Sequence, residues 1–408
     1  MTLARTTAHP APRSPFSFVV RAGRAARALT TVASALALAA GVLTLAPAPA
    51  HADGAVPSQE YFSYYPLNTV HQKGITGKGV TIAVIDGPVD TSNPALKGAN
   101  ITDKSRCTIQ DSPEGIRHGT DMAIILVSPI SGVAPDATLY NYQASTAGTI
   151  SNGSCDSKGG GLNTTGALIN QAVEDGAQII SISLSVPDFS NELKWAVTNA
   201  ITKGVIIVAA AGNEAHQDNT TQLGRYSGVV GVSAINSDGT FASYSNWADG
   251  MVTAAFGGPY NTYDVNTGEP VTVHGTSIST PLVAGMLALA RQKWPDATTN
   301  QILQLLVHTG LNPNHDWNKY TGYGAAALGS LVNQDPSQYP DENPIIQKGY
   351  GSEPTAQEVQ DYIDGVAGSL QIDSFPDTYV YRGTDQGVIY DHGSIPVHLG
   401  TSPRYHRK

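Results

Sequence analysis

Short apolar runs and amphipathic stretches alternate along the central part of this chain. The apolar runs predict buried strands at Val80–Ile85, Thr138–Gln143, Gln178–Leu184, Val205–Ala211 and Val229–Ala234. The amphipathic stretches predict helices at Gly119–Val127, Leu162–Glu174, Asn191–Thr202, Ser277–Trp294 and Asn300–His308. Strands of this kind form a parallel sheet that helices cover on both faces. We therefore expect a three-layer α/β fold with a mostly parallel central sheet, plus a C-terminal extension.

The first 52 residues differ from the rest in charge and pattern. They contain five arginines and no acidic residue, and residues 28–50 carry no charge. The stretch closes on Ala50-His51-Ala52, a small-x-small site, which predicts a signal peptide over residues 1–52. The alternative is a retained membrane anchor, since about 20 apolar residues span a bilayer. This stretch is only modestly hydrophobic, so we expect cleavage and a secreted, extracellular protein with no membrane contact afterwards.

The remaining sequence falls into three parts. Residues 53–60 are a short polar lead, residues 61–332 carry the globular pattern, and residues 333–408 are richer in Pro, Asp, Gln and Tyr. In this last part Thr355–Ile363 has helical spacing and Thr378–Val397 alternates weakly, as a hairpin does. The C-terminal extension is therefore either a small add-on or partly disordered.

The charge balance restricts the partners. Without the first 52 residues, 18 Lys and Arg remain against 33 Asp and Glu, a formal charge of −15. An acidic surface repels phosphate backbones, which argues against nucleic acid as a partner. We expect a monomer that acts on a protein or peptide substrate.

The two cysteines, Cys107 and Cys155, are expected to form a disulfide, because such a pair is more often oxidised than free outside the cell. Closing the loop of 48 residues between them would stabilise the fold by roughly 4 kcal/mol in the chain-entropy model. A zinc site is not supported, since no histidine is nearby in the sequence. A catalytic thiol is not supported either, since neither cysteine stands at a helix start or beside a histidine.

Three segments in fixed order carry the residue types of a Ser-His-Asp triad. They are Val84-Ile85-Asp86-Gly87, His118-Gly119-Thr120 and Gly275–Pro281. Serine becomes a nucleophile when a base takes its proton, and the base needs a third group to fix its tautomer. Asp86 would orient His118, His118 would deprotonate Ser277, and Ser277 would attack a carbonyl carbon.

The predicted elements place these residues where a site can form. Asp86 closes an apolar strand, and we expect His118 and Ser277 at helix starts, where free N–H groups and the helix dipole favour negative charge. Pro281 falls early enough in its helix for the missing N–H to be tolerated. Taken singly, the three are more often a turn residue, a surface histidine and an N-cap serine. His274 is the one rival histidine, and we interpret it as a loop residue that lines the site.

A fourth segment offers an amide for an oxyanion. Asn213 follows the apolar run Ile207–Gly212, whereas a turn asparagine more commonly follows polar residues. A side-chain amide aimed at the developing oxyanion stabilises the transition state of acyl transfer. One such motif is weak evidence, but four in this order are strong.

With these four segments the chain resembles the subtilisin-like serine peptidases of family S8, over about Tyr61–Val332. The matching segments are Gly79–Asp86, Arg117–Thr120, Gly132–Pro135, Ile180–Ser185, Ala210–Glu214 and Gly275–Pro281. The resemblance implies Asp86, His118 and Ser277 as the triad, in the chain order of subtilisin itself, and Asn213 as the oxyanion donor. The substrate-binding residues that it implies are Ser183, Leu184, Ser185, Ala211 and Gly212.

Several positions depart from the family pattern. Ser185 stands where the family usually has glycine, Gly87-Pro88 replaces the usual Ser/Thr-Gly, and Asp121 replaces a frequent histidine. Cleavage after Ala52 would leave only the lead, residues 53–60, in front of the domain, with no room for an N-terminal chaperone propeptide. The extension is then a candidate for assisting folding or covering the site. The segment between His118 and Gly132 is too short for the calcium loop of many members, so calcium is not supported and no metal or other cofactor is expected.

These observations favour a secreted serine endopeptidase that hydrolyses peptide bonds through an acyl-enzyme. Ser185 and the missing propeptide favour, as an alternative, a processing peptidase with a narrow pocket and one dedicated peptide substrate. A third interpretation is an inactive scaffold that binds peptides, although all four catalytic positions are filled. A lipase or esterase is disfavoured because the chain contains no Gly-x-Ser-x-Gly elbow.

Overall fold

The computed structural model describes residues 58–157, 161–186, 190–218, 222–313, 316–349 and 352–365. The predicted signal peptide and the hairpin predicted at Thr378–Val397 lie outside the described residues. The predictions made for them, and the predicted domain boundaries, stay predictions.

Parallel strands form the centre of the fold. The strands are β1 (Thr81–Asp86), β2 (Asn100–Asp103), β3 (Gln110–Asp111), β4 (Thr138–Gln143), β5 (Thr149–Ser151), β6 (Ile179–Ile182), β7 (Ile206–Ala210), β8 (Val229–Ile235), β9 (Met251–Phe256), β10 (Tyr260–Tyr263) and β11 (Pro270–Val273). Within the described residues, seven of them form one sheet in the order β2-β4-β1-β6-β7-β8-β9, with every pairing parallel. The pairs β10–β11 and β3–β5 are separate antiparallel ribbons.

Helices cover both faces of the large sheet. They are α1 (Glu60–Tyr64), α2 (Leu67–His71), α3 (Pro113–Val127), α4 (Ser154–Ser157), α5 (Thr165–Glu174), α6 (Asn191–Thr202), α7 (Thr276–Lys293), α8 (Thr299–His308), α9 (Leu328–Asn333) and α10 (Ala356–Ile363). Val84 packs with α3 and α7 on one face, whereas its neighbour Ile85 packs with α5 and α6 on the other. This alternation is the two-residue period of a strand that is buried on both sides. The predicted three-layer α/β fold is confirmed.

Two predicted details of the helices are wrong. Helix α3 begins at Pro113, not at Gly119, because the Ser112 side chain accepts a hydrogen bond from Gly115 N at 3.1 Å and caps the helix there. His118 therefore lies in the second turn and not at the helix start. Pro281 is the sixth residue of α7, beyond the first turn, so its missing N–H does remove a hydrogen bond within the helix.

The sheet topology brings the candidate residues to one edge. Strand β1 pairs with β6, and β6 pairs with β7. Asp86 ends β1, Ser183 follows β6, and Asn213 lies shortly after β7. Because all three strands run in the same direction, these residues share the carboxyl edge of the sheet, where α/β folds place their ligands.

The described part of the C-terminal extension lies against this domain. Helix α10 packs on α6, where Tyr362 stacks on Trp195 with 5.9 Å between ring centroids. Lys194 of α6 forms an ion pair with Glu358 of α10 at 2.7 Å. The helix predicted at Thr355–Ile363 is present, with Thr355 as its N-cap in a capping box.

Cys107 and Cys155 are joined by a disulfide, which links the segment before β3 to α4. None of the helices in the described ranges is both long and apolar enough to cross a bilayer. The same ranges contain no group of three or more His, Cys, Asp or Glu side chains that is placed to hold a metal ion.

Candidate active site

Asp86 is fully buried at the end of β1 and contacts His118 directly. Its Oδ1 accepts a hydrogen bond from the backbone N–H of Gly87 at 2.7 Å and lies 2.8 Å from His118 Nδ1. Its Oδ2 is buried and has no hydrogen-bond partner among the described residues. A buried carboxylate needs partners for its charge. The two hydrogen bonds to Oδ1 hold the Asp86 side chain in place, and the imidazole of His118 stabilises its negative charge.

Glycines bring the backbone of α3 into contact with the end of β1. A Cβ atom added at Gly119 would lie 2.5 Å from the carbonyl oxygen of Gly87, and one added at Gly87 would lie 2.7 Å from the carbonyl oxygen of Gly115. Any side chain at these positions would push the helix away from the strand. In this chain the position of Gly87, where the family usually has Ser or Thr, therefore has no room for a side chain. The close approach also allows His118, from the second turn of α3, to reach Asp86.

The environment of His118 favours its protonated form more than water does. Burial lowers the pKa of His118, but the Asp86 charge and the hydrogen bond to it outweigh burial, with a smaller contribution from Asp121, and the pKa is raised above its ordinary value. The side chain remains 30% exposed. Because a carboxylate only accepts, Nδ1 must carry the hydrogen, and in the neutral ring Nε2 is left as the acceptor. That is the tautomer a general base requires.

Asp121 occupies the next turn of α3 and joins it to the β10–β11 ribbon. Its carboxylate forms an ion pair with Arg117 at 2.8 Å and accepts hydrogen bonds from the hydroxyls of Tyr260 at 3.2 Å and Thr262 at 3.0 Å. Burial raises the pKa of Asp121, and the Arg117 charge and the hydroxyl donors oppose this rise. Since the β10–β11 ribbon leads directly to Ser277, Asp121 links the helix of the histidine to the segment of the serine.

Ser277 is the second residue of α7 and is bonded to Ser183 in both directions. Its Oγ donates to the carbonyl oxygen of Ser183 at 3.1 Å, and Ser183 Oγ donates to the carbonyl oxygen of Ser277 at 3.0 Å. The second bond has a clear origin in the sequence. The Ser277 carbonyl would normally accept from the N–H of residue 281, but Pro281 has none, and the Ser183 hydroxyl takes that place.

The structure does not form a hydrogen bond between Ser277 and His118. Both residues are described, and the Ser277 hydroxyl is held by the carbonyl oxygen of Ser183. Asp86 and His118 are therefore assembled, whereas the hydroxyl of Ser277 rests on a different acceptor.

Asn213 is exposed and is oriented by the residue that precedes Ser277. Its Oδ1 accepts from the backbone N–H of Thr276 at 2.8 Å and from the Thr276 hydroxyl at 3.1 Å. A backbone N–H can only donate, so the oxygen of the amide must face Thr276 and the NH₂ group must face away. The amide donors of Asn213 have no partner among the described residues and are available to an anion beside Ser277.

A cavity of about 180 Å³ opens next to these residues. It is lined by Leu184, Ser185, Val186, Ala210, Ala211, Gly212, Glu214, His216, Asp218, Gln222 and Asn246. Four of the five predicted substrate-binding residues are among them, and the fifth, Ser183, contacts Ser277 instead. Two polar residues of the lining are hydrogen-bonded to each other. Asn246 Nδ2 donates to Glu214 Oε2 at 2.5 Å, and Asn246 Oδ1 accepts from Glu214 N at 2.9 Å.

Comparison with known proteins identifies the family. The model of the subtilase family, Peptidase_S8, matches residues 77–324, more than half of the chain. The chain belongs to the subtilase family.

The relatives of this subtilase share its domain at moderate identity. It is 32% identical to Subtilisin E of Bacillus subtilis over 263 residues, which is 59% of this chain and 62% of that protein. It is 33% identical to the Thermostable alkaline protease of Halalkalibacterium halodurans over 252 residues, or 60% of this chain and 66% of that protein. The alignment thus spans less than two thirds of the length of these relatives.

Solved structures share the fold of this subtilase. MycP1 from the ESX-1 type VII secretion system superposes with a TM-score of 0.56 at 24% identity, covering 70% of this chain and 87% of that chain. The Prenylagaramide maturation protease PagA gives a TM-score of 0.52 at 22% identity, covering 65% and 96%. At these identities the likeness shows the fold alone.

Sequence reasoning missed several residues that shape the site of this subtilase. Thr276 is fully buried, and besides orienting Asn213 it accepts a hydrogen bond from Gly212 N at 3.1 Å. Asn246 and Gln222 fix the lining of the cavity from loops that carry no recognisable motif. The rival histidine, His274, is exposed beside Tyr244, with 6.2 Å between ring centroids, and has no contact with Asp86.

Proposed function

We propose that this subtilase is a secreted serine endopeptidase, with Ser277 as nucleophile, His118 as base, Asp86 orienting the histidine and Asn213 donating to the oxyanion. The observation that carries the proposal is the 2.8 Å contact between His118 Nδ1 and a carboxylate without solvent exposure. That contact leaves Nε2 as a base with a raised pKa. A buried Asp-His pair of this geometry is what a general base for a serine needs.

The first step transfers the proton of Ser277. For this the hydroxyl leaves the carbonyl oxygen of Ser183 and donates to His118 Nε2, since catalytic hydrogen bonds that are not formed in a free enzyme can form when substrate binds. Ser277 Oγ then bonds to the carbonyl carbon of the peptide while His118 takes the proton. The Asp86 carboxylate stabilises the imidazolium that results.

The second step uses the groups around the start of α7. The carbonyl oxygen of the substrate becomes an oxyanion, which accepts from the Asn213 amide and from the N–H of Ser277, one of the first N–H groups of the helix. The C–N bond breaks as His118 returns its proton to the leaving nitrogen, and an ester of Ser277 remains. Water, deprotonated by His118, hydrolyses that ester and restores the serine hydroxyl.

The cavity accounts for substrate binding in this proposal. A peptide lying along Ser183, Leu184 and Ser185 would place one side chain in the cavity, between the end of β7 and residues 184–186. Export is part of the proposal as well. The charge pattern of the first 52 residues supports it, and so does the Cys107–Cys155 disulfide, which persists in oxidising compartments.

Labelling with a fluorophosphonate tests the proposed function. The mature protein should be modified at Ser277 alone, and the His118→Ala variant should react far more slowly because its serine is not activated. Ser277→Ala should take up no label while keeping the wild-type melting temperature. Modification of other serines, or equal rates with and without His118, would refute the assigned roles.

A processing peptidase with one dedicated substrate is the second candidate, and Ser185 is the observation that favours it. This side chain lines the small cavity where the family usually has glycine. Ser185→Gly should then widen the range of residues accepted at the cleaved bond, as read from cleavage of a peptide library. Identical cleavage maps for the two forms would remove the support for a narrow pocket.

A further inference from the structure

Lys348, in the C-terminal extension beyond the residues that the family model matches, is held by three backbone carbonyl groups. Its Nζ donates to the carbonyl oxygens of Gly224 at 2.6 Å, Gly250 at 3.0 Å and Val229. All three carbonyl groups belong to buried residues. An ammonium has three N–H donors and no acceptor, so three carbonyl oxygens satisfy it completely.

These carbonyl groups come from three separate segments of the chain. Gly224 lies in the short 3-10 turn Leu223–Arg225, Val229 begins β8, and Gly250 directly precedes β9. A Cβ atom added at Gly231 would lie 3.0 Å from the carbonyl oxygens of both Gly224 and Gly250, which shows how closely they converge. Carbonyl dipoles that point at one spot repel each other unless a cation lies between them. Lys348 supplies that cation from the same chain: burial lowers the pKa of its ammonium, and the three carbonyl oxygens favour the charged form against that effect.

The turn that Lys348 holds is next to the cavity. Gln222, which lines the cavity, immediately precedes the turn, and its side-chain amide donates to the carbonyl oxygen of Ala211. Ala211 is two residues before Asn213. The contacts therefore run from the ammonium through the turn to the cavity wall and to the end of β7.

Further bonds fasten the segment that carries Lys348 to the same loop. Gly228 N donates to the carbonyl oxygen of Ile345 at 2.8 Å, and Ser227 N donates to that of Glu353 at 2.9 Å. Lys348 N donates to Ser352 Oγ at 3.2 Å. The segment that carries Lys348 is thus also hydrogen-bonded through its backbone to residues 227–228.

We propose that Lys348 is a positioning residue for the substrate cavity: its ammonium draws the three carbonyl groups together and fixes the turn that carries Gln222. The proposal rests on the proposed function only where it calls the cavity a substrate site. It makes residues 345–349 part of the support of that cavity, although they lie outside the region that the family model matches.

The test compares Lys348→Met with Lys194→Met. Both lysines attach the extension to the domain, but Lys194 forms ion pairs with Glu358 of α10 and with Glu353, and it does not contact the turn Leu223–Arg225 beside the cavity. Amide hydrogen exchange of residues 222–232 is measured in both variants, because this readout needs no catalysis. Melting temperature, kcat and KM on a cleaved peptide are measured in parallel.

Lys348→Met should accelerate exchange across residues 222–232, lower the melting temperature by about 5 °C and raise KM about threefold to tenfold, with kcat within about twofold. Lys194→Met should leave KM and the exchange of residues 222–226 unchanged, since its ion pairs with Glu353 and Glu358 do not involve that turn. Should Lys348→Met not fold, Ser352→Ala loosens the same segment more gently and should give a smaller change of the same kind.

Unchanged exchange of residues 222–232 in Lys348→Met, or equal changes in both lysine variants, would overturn the proposal. If wild-type protein hydrolyses no peptide, the proposed function fails, and the exchange data still decide the role of Lys348.

Discussion

The two halves of the candidate site are held in different ways. The first half holds Asp86 and His118, where a fully buried carboxylate contacts a histidine. Glycines allow the strand that carries the aspartate and the helix that carries the histidine to approach closely. The second half holds Ser277 and Asn213. Here the Ser277 hydroxyl donates a hydrogen bond to the carbonyl oxygen of Ser183, and Asn213 is exposed. The proposed base is therefore assembled in the free protein, whereas the proposed nucleophile has one hydrogen bond to exchange. Substitutions in the first half should therefore abolish most of the hydrolytic activity. Substitutions in the second half should reduce the rate at which Ser277 reacts.

The largest effect is expected from Asp86→Asn in the half of the base. The neutral amide lacks the negative charge that stabilises the imidazolium, and an amide whose NH₂ group faces the ring would donate to Nδ1 and force the hydrogen onto Nε2. We expect kcat to fall by about 10⁴, a magnitude known for the aspartate of such triads, one of them in a subtilisin. Steady-state kinetics on a peptide substrate measure it. Asp90→Asn, at an exposed turn four residues on, is the control and should retain full activity; a loss below tenfold in Asp86→Asn would contradict the preassembled base.

Removing the exposed amide should cost less. Asn213→Ala deletes the donor that Thr276 orients, and we expect kcat to fall about 10²–10³ with KM nearly unchanged, the range measured for such an asparagine in a subtilisin. Steady-state kinetics on a peptide substrate show whether the loss lies in kcat or in KM. An effect confined to KM would mean that Asn213 contacts the bound peptide and not the oxyanion.

Ser183→Ala tests the bond that supports the backbone of the proposed nucleophile: it removes the hydrogen bond from Ser183 Oγ to the Ser277 carbonyl and keeps the Ser183 carbonyl that accepts from Ser277 Oγ. The change leaves the Ser277 carbonyl, already deprived of a donor by Pro281, without its hydroxyl partner. An unpaired buried carbonyl costs about 1–3 kcal/mol, so we expect kcat to fall about tenfold with some loss of stability. Ser181→Ala is the matched control, because Ser181 lies on β6 two residues earlier and its Oγ is buried with no hydrogen-bond partner among the described residues. Equal losses in the two variants would show that the bond to Ser277 has no special importance.

The smallest effect concerns pH. The negative charge of Asp121 raises the pKa of His118, so Asp121→Asn should lower that pKa, and the unpaired charge of Arg117 adds to the change. A base must be unprotonated, so activity falls as pH drops through the pKa of His118. The acid limb of kcat/KM should therefore move to lower pH in Asp121→Asn. An acid limb that stays in place would show that the two groups are not coupled.

Much of the fold was predictable from the sequence because buried parallel strands are apolar almost throughout. Thr138–Gln143 and Asn191–Thr202 were predicted with their observed bounds. Strand β9 was missed although Met251–Phe256 is apolar at five of its six positions, and the β10–β11 ribbon was missed because Tyr260–Tyr263 and Pro270–Val273 mix polar and apolar residues. The start of α3 was missed for a different reason: Ser112-Pro113 is an N-cap followed by proline, but no apolar period follows for several residues.

The site was predictable only as far as its residues lie in compact motifs. Asp86, His118, Asn213 and Ser277 each stand in one. The bond between Ser183 and Ser277, the Asp121 contacts to Tyr260 and Thr262, and the Lys348 carbonyl contacts join residues that are 94, about 140 and about 100–120 positions apart. No local pattern encodes such pairs, because they depend on how strands and loops are stacked.

The most direct test of this account is a crystal structure of the protein with a peptide boronic acid bound. We expect a covalent bond from Ser277 Oγ to boron, loss of its hydrogen bond to Ser183, His118 Nε2 within hydrogen-bond distance of the adduct, and Asn213 Nδ2 donating to a boronate oxygen. The Asp86–His118 contact should be unchanged from the free protein. An adduct on another residue, or a His118 ring that leaves Asp86 or points away from Ser277, would contradict the central claim.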